Sequence, residues 1–154
     1  MSDPVAGDNA IPGQDCSLSQ GSPPAGAPGM DESEALIAKM VRRFYELSLA
    51  DDVLGPMFSE IITDFEEHYA IVQDFWSHAL LGTDRYKRGT PYVHHTHLKV
   101  EEVHFERWMK AFAQAVAEVL PPELAEAAMK RARHMTGSFR MGLLPLSPPG
   151  KTKV

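Results

Sequence analysis

Large apolar residues recur at helical spacing along four stretches of the chain, and no stretch alternates with the period of a strand. The first stripe is Leu36, Ile37, Met40, Val41, Phe44 and Leu47, ending at Ala50-Asp51-Asp52. Leu54-Gly55-Pro56-Met57-Phe58 then reads as a turn followed by a short helical piece. A second stripe, Phe65, His68, Val72, Phe75 and Trp76, stops near Gly82-Thr83, and Gly89-Thr90-Pro91 forbids a quick restart. The third carries Phe105, Trp108, Met109, Phe112, Val116 and Leu120. Pro121-Pro122 ends it and opens the fourth, Leu124, Ala128, Ala132, Met135, Phe139 and Leu143, since proline is tolerated in a first helical turn. Two helix starts are marked by acidic caps. Asp31 is followed three residues later by Glu34, and Asp64 by Glu66 and Glu67, which favour the positive end of the helix dipole. The pattern predicts an all-α domain with four main helices.

Composition sets the bounds of that domain. Residues 1–30 hold five Pro, five Gly and almost no large apolar side chain, too little to offset the entropy of ordering, so a disordered tail is expected there. Three Asp and no Lys or Arg fall in that tail, so half of the formal charge of −6 lies in it and the folded part is close to neutral. The domain is expected over residues 31–144, with a polar, proline-rich, flexible end over 145–154. No clustered basic stretch suggests nucleic acid, and no apolar run approaches the ~20 residues of a membrane span. The tail lacks the basic and apolar regions of a secretory signal, and the only cysteine, Cys16, rules out an internal disulfide. A cytoplasmic monomer is the expectation.

Candidate chemistry lies in the polar groups set against these stripes. His68 stands on an otherwise apolar face; a lone histidine there is more often a hydrogen-bonded core residue than a ligand. His78, ten residues on, is rotated away and should be exposed. Tyr45 borders the first stripe, where periodicity alone favours a half-buried ring with its hydroxyl in water. Phe58 and Trp108 read equally as core aromatics, and His104 as structural. His94, His95 and His97 make a loop of imidazoles between the second and third helices. Such a loop bracketed by apolar faces suits a large flat cofactor with a metal at its centre. The alternative is a zinc or non-haem iron site in a helical bundle built on His94, His95 and His97 with His68 or His104. No Asp or Glu on the stripes completes a carboxylate-rich site, which counts against it. A cofactor-free interaction module would leave His68 and the histidine loop without a role.

Phe75-Trp76, Leu80-Leu81-Gly82-Thr83, Tyr86, Gly89, Pro91, His95, Leu98 and His104-Phe105-x-x-Trp108 together resemble the group III truncated haemoglobins. Phe44-Tyr45 and Leu54 to Phe58 extend the resemblance, which covers roughly residues 36 to 142. It implies two helix pairs crossed around haem b, a two-on-two globin. His95 becomes the proximal iron ligand: it lies four residues after Pro91 and thirteen before Trp108, the family's spacing, whereas His94 and His97 miss the proline spacing. Phe58, Phe75, His68 and Trp108 would pack on the haem. Tyr45, His68 and Trp108 would face the gaseous ligand, with Tyr45 and Trp108 as hydrogen-bond donors and His68 governing entry. The implied ligand is O2, with CO, NO and peroxide as further candidates and an unidentified reductase as partner. Three donors exceed what reversible oxygen delivery requires and suit slow release. They would equally suit nitric oxide dioxygenase-like or peroxidase-like chemistry in what is primarily a ligand-binding protein. One extra residue between Tyr86 and Pro91, and Lys99 where many relatives carry proline, depart from the family pattern beside the proximal loop.

Overall fold

The apolar stripes become helices almost residue for residue. In the computed structural model, which describes residues 28–91, 95 and 98–144, α1 spans Met30–Ala50, α2 Leu54–Ile61, α3 Phe65–Leu81, α4 Glu102–Val119 and α5 Pro122–Leu143. Among the described residues there is no strand, and no helix is long and apolar enough to cross a membrane. The expected tails, apart from residues 28–30, lie outside the described residues, as do His94 and His97.

α1 packs its buried face, Ile37, Met40, Val41 and Phe44, against α3 and α4, and α5 closes against α4 and α3. The result is two crossed helix pairs, with α2 turned across the end of α1. Ala128 and Ala132, both fully buried, bring α5 close to its neighbours. The centre is a stack of three rings. Phe112, 1% exposed, lies between Trp76 (centroids 4.8 Å, planes at 23°) and Trp108 (5.0 Å, 10°). Burial of such side chains stabilises by about 1.5–3 kcal/mol each, and the stack adds roughly 0.5–1.5 kcal/mol per pair.

The breaks have local causes. The Asp51 carboxylate accepts from the backbone N–H of Val53 and Leu54 (2.8 and 3.0 Å), turning the chain from α1 into α2. Arg107 of α4 donates to the same side chain and to Asp52. Burial alone would raise the Asp51 pKa, but these donors together hold it below the usual range. Gly55 is required there, because a Cβ would stand 2.6 Å from the Leu49 carbonyl oxygen. At the far end of α3, Gly82 takes a left-handed conformation (φ 72°) and its N–H closes the helix on His78. Asp64 caps α3 by accepting from the Glu67 N–H at 3.1 Å.

The cap expected at Asp31 is not formed. α1 begins two residues earlier than that cap implies, with Gly29 in the cap position and no side-chain cap. Glu34, the intended reciprocal partner, is engaged elsewhere: it accepts from the Ser77 hydroxyl and pairs with Arg85 (2.8 Å). Ser77 gives its one proton to Glu34, so Thr83 donates to the Ser77 oxygen at 2.7 Å. This chain ties the start of α1 to the end of α3, and those tertiary partners outweigh a local box.

Candidate functional site

Between the helix pairs lies a cavity of about 460 Å3, within the ordinary range for a small-molecule site. Every residue singled out above for a pocket role that falls among the described residues lines it: Tyr45, Phe58, His68, Phe75, His95 and Trp108. They come from α1, α2, α3, α4 and the connection between α3 and α4, so no single element makes the site.

The aromatic wall is held by ring contacts. Phe58 is 8% exposed and packs against Tyr45 at 5.6 Å, while Phe75 meets Trp76 at 5.2 Å and Tyr86 at 5.3 Å. Trp108 stacks on Phe112 and meets Phe44 edge-on at 5.3 Å. Its indole lines the cavity, and an indole N–H can only donate.

The polar side of the cavity is a tyrosine and a histidine bonded to each other. Tyr45 is 5% exposed, and its hydroxyl oxygen lies 2.7 Å from His68 Nε2. The solvated hydroxyl that periodicity favours is therefore not found: the hydroxyl faces inward. Burial pushes its pKa well above that of free tyrosine, so it stays a phenol and a donor. His68 is half-buried. Burial first, and the charge of nearby His95 second, lower its pKa, which favours the neutral ring.

His95 reaches the cavity from the loop before α4. Its Nδ1 lies 2.5 Å from the Pro91 carbonyl oxygen. A carbonyl only accepts, so Nδ1 carries a proton, and in the neutral ring Nε2 is then the nitrogen without one. That is the tautomer a metal-ligating imidazole needs, with its orientation held by a backbone acceptor. The Phe139 ring packs 5.2 Å from it.

The other histidines are structural or peripheral. His78 is exposed and bonds the Thr83 carbonyl through Nδ1. His104 Nδ1 accepts from the Glu101 N–H at 3.0 Å, which fixes the start of α4. Among the described residues no group of three or more His, Cys, Asp or Glu could hold a metal ion. The proposed His94/His95/His97 cluster is not part of that comparison, because two of its members lie outside them.

Some lining residues were not assigned from the sequence. Phe139 already lies on the α5 stripe, but periodicity does not show that it packs against His95. Tyr86 and Arg88, also on the cavity wall, sit in a non-periodic loop that gives no such signal. Tyr69, one residue beyond His68, packs on the Tyr45 ring at 5.2 Å and carries Arg42 over its outer face.

A largely apolar cavity with several aromatic walls and one imidazole held by a backbone carbonyl fits a flat metalloporphyrin better than a small carboxylate site. Comparison with known proteins agrees. Residues 31–141 match the family model described as bacterial-like globin. The chain is 32% identical over 109 residues to the group 3 truncated hemoglobin ctb of Campylobacter jejuni, covering 68% of this chain and 85% of that one. It superposes with a TM-score of 0.66 on the crystal structure of group III truncated hemoglobin from Campylobacter jejuni. That match has 32% identity and covers 71% of this chain and 90% of that one. The helices, the cavity and these matches together place the chain in the bacterial-like globin family, as a haem-binding truncated haemoglobin of group III.

Proposed function

We propose that the protein binds O2, and also CO and NO, at haem b held by His95, and serves NO or peroxide detoxification rather than oxygen transport. The observation that carries this reading is the meeting, in one cavity, of His95 with Nδ1 held by Pro91 O and the hydrogen-bonded Tyr45–His68 pair. The haem would supply an iron that can bind a diatomic gas. The protein supplies the rest. Pro91 O holds the His95 ring in place; Phe58 and Phe75 would wall the porphyrin, and Tyr45 and Trp108 would direct donors at the ligand. O2 draws negative charge when bound and CO draws little, so donors in a dry pocket favour O2 selectively. Several donors around one small ligand retain it, which suits reaction in place better than delivery.

Haem b is supported by the chain's one cysteine, Cys16, since thioether attachment needs a C-x-x-C-H motif. Turnover with NO or peroxide requires a source of electrons, and a separate reductase is part of the proposal. The test is the absorption spectrum of purified protein, ferric, ferrous and CO-bound, for wild type and His95→Ala. An intense Soret band that His95→Ala loses or shifts is expected. A colourless wild-type protein, or a His95→Ala variant with an unchanged spectrum, overturns the assignment. Consumption of NO by the oxygenated protein, with nitrate as product, tests the detoxification role.

A further inference from the structure

We infer that the outward face of α5 around Lys130, Arg131 and Arg133 is the docking surface for an acidic one-electron carrier protein, the source of the electrons that turnover in the cavity consumes. This rests on the haem reading above and deepens it, by naming the surface and the kind of partner.

Charge is unevenly spread along the chain. After Glu126 no Asp or Glu follows to the end of the sequence, while six Lys and Arg do. On α5, Lys130, Arg131 and Arg133 are exposed, with His134 beside them. Among the described residues no carboxylate forms an ion pair with any of the three. Arginines elsewhere are used differently. Arg42, Arg43, Arg85 and Arg107 each pair with an acid from a distant part of the chain, and Arg140, on α5 itself, pairs with Glu102. Three unpaired cations within four successive residues are too few for a nucleic-acid footprint, yet enough to steer and orient a small acidic protein. An anionic lipid surface fits less well. A helix that lies in a membrane inserts its apolar face, and here that face, through Ala128 and Ala132, is buried in the fold. Met141, 80% exposed beyond the cations, supplies the adaptable apolar contact common at protein interfaces.

Position ties this face to the cavity. Arg131 holds its guanidinium 5.6 Å over the Phe75 ring, and Phe75 lines the cavity. On the inner side of the same helix, Phe139 lines the cavity and packs against His95. A single helix, about 10 Å across, therefore separates a carrier docked here from the cavity. Each transfer moves one electron: the carrier is oxidised by one and gives it to ferric haem, which becomes ferrous, and no bond forms or breaks.

The experiment uses the full-length haem protein and, as probe, a reduced plant-type ferredoxin, a small acidic one-electron carrier. Stopped-flow reduction of the ferric protein should slow by at least about tenfold in Lys130→Glu/Arg133→Glu at ~0.01 M ionic strength, and the difference should nearly vanish at ~1 M, where charges are screened within about 3 Å. Reduction by photoreduced deazariboflavin, which is uncharged, should be the same in both proteins. Lys130→Glu should slow the ferredoxin reaction more than Lys39→Glu, the reversal of an exposed cation on α1 that changes the net charge equally. Binding is read apart from electron transfer: in the CO-bound protein, ferredoxin should perturb the backbone amide signals of α5 from Lys130 to Met141. Wild-type rates in the double variant, equal slowing by Lys130→Glu and Lys39→Glu, or amide perturbations confined to other helices would overturn the inference. Capture of the protein by phosphatidylserine vesicles that the double variant loses, with ferredoxin reduction unchanged, would give the face to a lipid surface and overturn it too. In each of these cases a normal Soret band leaves the haem reading standing, whereas a protein without that band refutes the haem reading and this inference with it.

Discussion

Phe112 joins the core to the ligand side of the cavity, and truncating it should damage both. Its ring is 1% exposed and stacked between Trp76 and Trp108, with Phe44 edge-on at 5.9 Å. Phe112→Ala removes two stacked contacts and leaves a void between two indoles that cannot collapse onto each other without moving α3 or α4. Large-to-small changes of this kind cost about 3–5 kcal/mol, a large share of the ~5–15 kcal/mol available to a domain. For a domain of this size that lowers the melting temperature by roughly 10–20 °C. Phe112→Leu keeps most of the volume and loses chiefly the stacking, so about 1–2 kcal/mol is expected. The leucine variant is the more informative, because it should fold while leaving Trp108 without the flat surface that sets its ring plane. Thermal unfolding of the haem-loaded proteins by circular dichroism measures the first effect. O2 dissociation measures the second, and Phe112→Leu should release O2 faster by a few-fold while CO changes less. A melting temperature within about 4 °C of wild type for Phe112→Ala would refute the packing argument. Unchanged O2 release in Phe112→Leu would show that Trp108 is positioned by something else.

Four further substitutions test other contacts of the fold. Gly55→Ala should cost about 1–3 kcal/mol, because its Cβ meets backbone at Leu49 rather than a flexible side chain; unfolding in urea reads this, and an unchanged midpoint would contradict it. Ser48 is fully buried and its hydroxyl has no hydrogen-bond partner among the described residues, so Ser48→Ala should raise stability by about 1 kcal/mol, and a lowered melting temperature would contradict this. Burial would raise the Glu34 pKa, yet the hydrogen bonds from Arg85 and Ser77 outweigh it and leave the folded value below 4.5. The stabilisation is therefore complete above the unfolded value and is lost as pH falls through the folded one. Arg85→Ala and Ser77→Ala should then lose less stability than wild type on acidification below about pH 5, whereas equally steep acid curves would sink that account.

The sequence alone determined the helices, because a stripe of period 3.6 interrupted by Gly and Pro has no other stable folded form. It determined the Asp64 cap and the Gly82 stop for the same local reasons, and it brought Tyr45, Phe58, His68, Phe75, His95 and Trp108 forward as pocket residues. Those last assignments needed the family spacing as well as periodicity. Periodicity says which way a side chain faces, not what stands opposite. Only the tertiary structure decided the fate of each polar group. Glu34 left the box expected with Asp31, because Ser77 and Arg85, distant in sequence, offered it better partners. Tyr45 turned its hydroxyl away from water, because α3 brings His68 within 2.7 Å. The His95 tautomer is set by a carbonyl at Pro91, a backbone atom whose direction no residue pattern encodes. Phe139, Tyr86 and Arg88 joined the cavity wall because two helix pairs cross there. Local chemistry chose the elements; contacts between residues far apart in the chain chose which nitrogen, oxygen and ring meet in the site.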